Sequence, residues 1–183
     1  MNKLLILFAV LTISCGNTVN KSTDTQDKAE NTEKDQQDML IGEFKKEDLQ
    51  NEPFSKWFTS AYENYTPNTS EMNTINENIN DYEIKVLMGT WCGDSKREVP
   101  KLLKILDKAD FNYENLEMVA VDYDKTTPSK IEEELDVHHV PTIIFYKNGK
   151  EINRFVEYSQ GESIEDDLSK IVSGKSYENS YAD

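Results

Sequence analysis

Cysteine is scarce in this chain, which holds only Cys15 and Cys92 among its 183 residues. Two cysteines are too few for the multiple-disulfide framework of small secreted domains. Basic residues are also outnumbered, with 20 Lys and Arg against 35 Asp and Glu and a formal net charge of -15. This balance argues against nucleic-acid binding, because phosphate contacts require clustered cations.

Long apolar runs, glycine-rich phosphate loops and a serine nucleophile motif are also missing. The apolar run at residues 4–11 is well short of the roughly 20 residues that cross a bilayer as a helix. Cys92 with His138 and His139, the two histidines of the chain, falls short of the usual four ligands of a metal site. We therefore expect no transmembrane helix, no metal and no other cofactor.

The start of the chain has the pattern of an export signal. Lys3 precedes the apolar run at residues 4–11, and Cys15 follows shortly after it. This order resembles the signal and lipobox of bacterial lipoproteins, although Thr12 stands where that family prefers Leu. The resemblance implies a signal peptide at residues 1–14, a lipid anchor on Cys15, and export to a bacterial membrane on the periplasmic or cell-surface side. The alternative is an ordinary cleaved signal with an incidental cysteine.

Composition changes twice before the main domain. Residues 15–38 are almost free of apolar side chains, so we expect a disordered tether that follows the lipid anchor. Residues 39–82 are amphipathic, and we expect an N-terminal helical extension that covers one side of the following sheet. Its main evidence is a run of mostly aromatic residues with the spacing of one helix face: Phe54, Trp57, Phe58, Ala61, Tyr62 and Tyr65.

Strand patterns and helix faces alternate from residue 83 to residue 173. Asn148-Gly149 lies between two strand patterns and predicts a hairpin. Thr127-Pro128 predicts the start of a helix. The order β-α-β-α-β-β-α predicts an α/β sandwich with a mixed sheet. Residues 174–183 are polar, and we expect a flexible tail there.

Two motifs of this domain resemble the thioredoxin family over residues 83–172. A strand leads into Trp91-Cys92-Gly93-Asp94-Ser95 and a helix, and Val140-Pro141-Thr142 opens a later strand. Pro100 interrupts the helix pattern, where a proline would otherwise be anomalous. The resemblance implies a thioredoxin-like three-layer sandwich with a central mixed sheet. It also implies that Pro141 follows a cis peptide bond beside the cysteine, and that the Val140 backbone pairs with an extended substrate peptide.

Cys92 is the candidate catalytic residue. A thiol at the start of a helix faces unpaired backbone N–H groups and the positive end of the helix dipole, and both favour the reactive thiolate. Trp91 would form a flat apolar wall beside it. The alternative is a buried structural cysteine without reactivity.

The chain departs from the usual Cys-x-x-Cys motif because Ser95 replaces the second cysteine. We expect Ser95 to donate a hydrogen bond to the thiolate or to serve as an ordinary first-turn helix residue. Dithiol thioredoxins keep a buried Asp where this chain has Val86. The charge of Asp94 opposes the thiolate. His139 would favour it by pairing with Cys92, unless it is an exposed loop histidine.

Two functions remain open from the sequence. The first is monothiol thiol–disulfide exchange outside the cytoplasm, in which Cys92 forms mixed disulfides with proteins or low-molecular-weight thiols. The second is a redox-inactive module with the same fold that binds peptides or proteins. Ser95 and Val86 favour the second function, whereas Trp91, Cys92 and Pro141 favour the first.

Overall fold

The structure, a computed structural model, describes residues 39–182. The signal peptide, the lipidated Cys15 and the tether expected in residues 1–38 lie outside the described residues.

Five strands form one mixed sheet in the spatial order β1-β3-β2-β4-β5. Strands β2 and β3 are parallel, whereas the pairs β1–β3, β2–β4 and β4–β5 are antiparallel. The hairpin between the last two strands turns at Asn148 and Gly149, which both have positive φ, as a tight two-residue turn requires. The strands are β1 (Gly42–Glu43), β2 (Glu83–Met88), β3 (Leu116–Ala120), β4 (Thr142–Lys147) and β5 (Lys150–Val156).

The described residues also contain six α-helices and two short 3₁₀ segments. The 3₁₀ segments are Ile79–Asp81 and Tyr113–Asn115. The helices are α1 (Lys46–Leu49), α2 (Ser55–Asn64), α3 (Thr69–Asn78), α4 (Gly93–Lys108), α5 (Ile131–Glu134) and α6 (Ile164–Val172).

The sheet separates two apolar clusters, which gives the three-layer α/β sandwich expected from the sequence. The larger cluster joins one sheet face to α4 and α6, through residues such as Val86, Leu102 and Leu168. The smaller cluster lies on the other face, where Ile144 packs with residues of α5 and of the loop that follows it. Strands β2 and β3 are therefore covered on both faces, which explains their nearly continuous apolar sequence.

The N-terminal extension packs mainly on helices. Helix α2 contacts α4, and α3 contacts α6, so the extension adds to the helical layer that already covers the sheet. Phe58 is 1% exposed, which confirms the apolar face of α2. The extension also supplies β1, a two-residue strand that its sequence does not indicate.

Two local expectations differ from the structure. The helix expected from Thr127 begins at Ile131, because Lys130 adopts a left-handed conformation with φ of 58°. Thr127 still caps it, since its Oγ1 accepts a hydrogen bond from the Ile131 N–H at 3.3 Å. The end of the chain, where a flexible tail is expected, makes hydrogen bonds to β5 through Tyr177 and Ser180. Tyr181 bonds to Glu157, the residue after β5. None of the helices in residues 39–182 is both long and apolar enough to cross a bilayer.

Asp107, near the end of α4, ties the extension to the domain. Its carboxylate accepts hydrogen bonds from Lys46 Nζ and Tyr62 Oη of the extension, and from Tyr113 Oη at 2.8 Å. Burial alone would raise the pKa of Asp107, but these three donors hold it below its ordinary value. The ionised carboxylate therefore stabilises the folded state.

Replacing Asp107 with Asn should weaken this connection in a pH-dependent way. We expect Asp107→Asn to lower the free energy of unfolding at pH 7 by about 1–3 kcal/mol, since hydrogen bonds to a charged acceptor are lost. The folded pKa is depressed, so the stabilisation is present above pH about 4 and disappears as the pH falls through the folded pKa. Urea denaturation at neutral and acidic pH measures both effects.

The matched control is Asp110→Asn, which removes an exposed carboxylate of the same region. It should leave the free energy of unfolding nearly unchanged at either pH. An equal loss for Asp107→Asn at neutral and acidic pH would contradict a role for the ionised carboxylate.

Candidate functional site

The site lies where β2 ends and β4 begins. Leu87 pairs with Thr142 across these two antiparallel strands, so the segments that follow β2 and precede β4 meet at one edge of the sheet. The first segment leads through Trp91 and Cys92 into α4. The second is the loop of residues 138–141.

Cys92 is the residue that caps the N-terminus of α4. Its backbone is extended, with φ of -75° and ψ of 129°, and its carbonyl accepts the first helical hydrogen bond from Lys96 at 3.0 Å. The half-buried thiol donates a hydrogen bond to the Val140 carbonyl oxygen, with 3.2 Å between Sγ and O. Cys92 is the one cysteine in the described part of the chain, and it is free.

The loop before β4 has the cis peptide between Val140 and Pro141 that the family resemblance implies. Two hydrogen bonds hold it. Thr142 Oγ1 donates to the His139 carbonyl at 2.6 Å, and the Glu157 N–H donates to the Pro141 carbonyl at 2.8 Å. The carbonyl of Val140 is thereby held at the cysteine sulfur.

Trp91, which precedes the cysteine, is held by two contacts. Its Nε1 donates to the Val121 carbonyl at 3.1 Å, and its ring packs on Tyr123 with 5.1 Å between centroids. A Cβ at Gly89 would lie 2.6 Å from the Trp91 ring, so this position needs glycine. The contact with Tyr123 was not predicted, because Tyr123 follows a different strand.

Ser95 lies in the first turn of α4, which is the second of the two roles expected for it. Its side chain is fully buried, and its Oγ accepts a hydrogen bond from the Gly89 N–H at 3.2 Å. The hydrogen bonds of the described residues thus connect Ser95 to the loop before Trp91, not to the sulfur of Cys92. The reason is its place in the first turn of α4, which directs the side chain inward to the end of β2.

Asp94 and Val86 lie in different surroundings. Asp94 forms a 2.5 Å ion pair with Arg97, so its charge is partly balanced. Arg97 is shared with Glu98, a buried carboxylate that also contacts Lys101. Val86 is fully buried in the larger apolar cluster, so this position contributes packing and no proton transfer.

His139 has orienting partners that the sequence does not reveal. Its Nδ1 lies 3.3 Å from Glu157 Oε1, and its ring stacks on Tyr181 with 3.7 Å between centroids. Tyr181 Oη donates to the other oxygen of Glu157. This hydrogen bond, with burial and the charge of Glu157 adding to it, raises the pKa of Tyr181 to about 12. The structure places His139 against these two side chains and does not pair its ring with Cys92 by a hydrogen bond.

The chain is similar to several known proteins. A family model described as thioredoxin matches residues 68–170, which include α3 and strands β2 to β5. Thioredoxin-2 of Saccharomyces cerevisiae is 34% identical over 67 residues, covering 37% of this chain and 59% of that protein. This chain therefore spans less than two thirds of that relative.

Two further proteins that this chain resembles are also named thioredoxins. Thioredoxin Asp f 28 of Aspergillus fumigatus is 27% identical over 82 residues, covering 45% of this chain and 70% of that protein. The solved structure of thioredoxin NaTrxh from Nicotiana alata shares 25% identity with a TM-score of 0.38, covering 59% of this chain and 84% of that one.

The role of Ser95 can be tested by Ser95→Ala. This variant leaves the buried Gly89 N–H without a partner, so we expect a loss of about 1–3 kcal/mol in the free energy of unfolding. The reactivity of Cys92 with a small neutral disulfide should stay at the wild-type level. Urea denaturation and mass spectrometry of the protein adduct measure the two effects.

Ser60→Ala is the control, because Ser60 is an exposed serine of α2 and its loss should not lower stability. If Ser95→Ala kept full stability and Cys92 reacted more slowly, the result would show instead that Ser95 donates a hydrogen bond to the sulfur.

Proposed function

Because the chain belongs to the thioredoxin family, we propose that it carries out thiol–disulfide exchange with Cys92 as its single working thiol. The family match supports a fold of the thiol–disulfide oxidoreductase type. The observation that carries the proposal is the position of Cys92, at the N-terminus of α4 and 3.2 Å from the carbonyl that precedes Pro141. The thiolate form of a cysteine is the form that attacks disulfides.

The exchange has two steps. The Cys92 thiolate attacks one sulfur of a substrate disulfide, forms a mixed disulfide with it, and releases the other sulfur as a thiolate that takes a proton from water. Cys92 is the one cysteine that follows Cys15 in the sequence, so an external thiol must complete the cycle. That thiol loses its proton and attacks the substrate sulfur, which breaks the mixed disulfide and returns Cys92 to its reduced form.

Substrates on this account are proteins or low-molecular-weight compounds that carry a thiol or disulfide. An extended segment of a protein substrate would pair with the Val140 backbone beside the cis peptide. The rings of Trp91 and Tyr123 would border the opposite side of the thiol. Tyr123 is 46% exposed, so it is accessible to such a segment.

A redox-inactive binding module is the second candidate. It is favoured by Val86 and Ser95, because both positions serve packing here: Val86 lies in the apolar core, and the Ser95 hydroxyl bonds to Gly89. In that case the contact between the Cys92 thiol and the Val140 carbonyl would be structural.

We place this activity outside the cytoplasm, on a lipid anchor at Cys15. The support comes from the sequence of residues 1–38 alone, with a charged start, a short apolar run, a cysteine and a polar segment. Disulfides form and persist outside the cytosol, which is where the substrates of such an exchange would be found.

Mixed-disulfide formation tests the exchange. All proteins in this test carry Cys15→Ser, so that Cys92 is the single thiol. The folded protein treated with a neutral aliphatic disulfide should gain one adduct at Cys92, and an added thiol should remove it completely. Intact-protein mass spectrometry follows both steps. Cys92→Ser should gain no adduct.

The variant Ser95→Cys is a gain-of-function control. A competent scaffold that holds two thiols in Cys-x-x-Cys spacing should reduce a protein disulfide faster than wild type in the presence of dithiothreitol. An unmodified wild-type thiol, together with peptide binding by Cys92→Ser, would establish the redox-inactive module instead.

Membrane association tests the anchor. We expect Cys15→Ala, expressed as the full chain in a bacterium that processes lipoproteins, to move from the membrane fraction to the soluble fraction. Cys92→Ala should stay with the membrane. Unchanged membrane association of Cys15→Ala would refute lipidation at that residue.

A further inference from the structure

The last described residues follow the outer edge of β5. Asn153 Nδ2 donates to the Tyr177 carbonyl at 3.1 Å, and Ser180 Oγ donates to the Val156 carbonyl at 2.5 Å. Tyr181 Oη donates to Glu157. The three pairs share a sequence separation of 24 residues, so the segment runs parallel to β5 in a fixed register. This register leads the segment to the cis-proline loop.

Tyr181 lies at the border of the proposed substrate-binding region. One face of its ring stacks on His139, the neighbour of Val140, whose carbonyl contacts the Cys92 sulfur. Tyr181 is nevertheless 47% exposed, so its other face is open to solvent. The charge of Asp94, in the first turn of α4, makes the smallest contribution to the raised pKa of Tyr181, and the hydrogen bond to Glu157 makes the largest.

The charges around this ring are mainly negative. Glu157 bonds to Tyr181 Oη and contacts His139 Nδ1. Asp94 forms an ion pair with Arg97. Arg97 also pairs with the buried carboxylate of Glu98, and Glu98 pairs with Lys101 as well. These four groups balance one another. Arg154 lines the same pocket as Tyr181, but it is paired with Glu151. Glu157 is therefore the carboxylate that can attract a cation at this ring. The whole chain carries -15, which adds to the attraction for cations.

We propose that the open face of Tyr181, together with Glu157, is a subsite for an arginine or lysine side chain next to the reacting cysteine of a substrate peptide. An aromatic face backed by a carboxylate binds such cations by cation–π attraction and charge pairing. A peptide extended beside the cis-proline loop would advance about 3.3 Å per residue. Tyr181 stacks on His139, the residue before Val140, so the subsite would take a side chain close to the peptide's cysteine. The subsite rests on the proposed exchange function, because it assumes that the peptide reacts at Cys92.

Peptide disulfides of different charge test the subsite. Three peptides, each with one cysteine disulfide-bonded to 2-mercaptoethanol, carry Arg, Gln or Glu beside that cysteine. The rate of mixed-disulfide formation at Cys92 is measured for each by mass spectrometry, at low and high salt. We expect the Arg peptide to react about fivefold faster than the Gln peptide at low salt. The Glu peptide should react slowest, and salt should reduce the differences.

Variants assign the preference to the two side chains, with every rate divided by that of a small neutral disulfide. Tyr181→Phe keeps the ring and should retain most of the preference, whereas Tyr181→Leu should lose the part that persists at high salt. Glu157→Gln should lose the salt-sensitive part. Glu63→Gln removes an exposed carboxylate on α2 and should leave the preference unchanged.

The outcomes separate this inference from the function on which it rests. Equal rates for the three peptides, with normal reaction of the small disulfide, would overturn the subsite and leave the exchange intact. Failure of the small disulfide to react would overturn the exchange. The subsite is then decided by the binding of serine-substituted Arg and Glu peptides to the Cys92→Ser protein, where equal affinities would refute it.

Discussion

Strands β2 and β4 lie side by side in the sheet, with Leu87 opposite Thr142. Because they are antiparallel, the end of one strand and the start of the other meet at the same edge. The helix start that carries Cys92 and the cis peptide before Pro141 are therefore neighbours although they are far apart in sequence. The 3.2 Å contact between the thiol and the Val140 carbonyl depends on this pairing. The pairing also brings the stacked rings of His139 and Tyr181 to the same edge.

The two residues that differ from a dithiol thioredoxin, Ser95 and Val86, both make contacts inside the fold. Ser95 bonds to the Gly89 N–H, and Val86 packs in the core, so both positions contribute to stability. The site holds one thiol at a helix start, beside the cis peptide that precedes Pro141. Under the proposed function, such a site would begin a disulfide exchange and need an external thiol to end it. The surrounding side chains would then set its substrate preference.

The sequence predicts those features that arise from local patterns. Strand β2, helix α2 and the hairpin at Asn148 and Gly149 follow from apolar periodicity and turn chemistry, and the motifs around Cys92 and Pro141 locate the site. Contacts between distant segments are not encoded in such patterns. The bond of Ser95 to Gly89 depends on the path of the loop, and the stacking of Tyr181 on His139 depends on where the segment after α6 returns. Strand β1 is only two residues long, too short for an alternating pattern.

The central claim is that the fold activates Cys92. The most direct measurement compares the rate at which Cys92 reacts with a neutral aliphatic disulfide in the folded chain and in the urea-unfolded chain. Each rate is divided by that of a short cysteine peptide under the same conditions. Activation by the helix start predicts a higher normalised rate in the folded chain. A lower normalised rate in the folded chain would show that Cys92 is a protected structural thiol and would contradict the account.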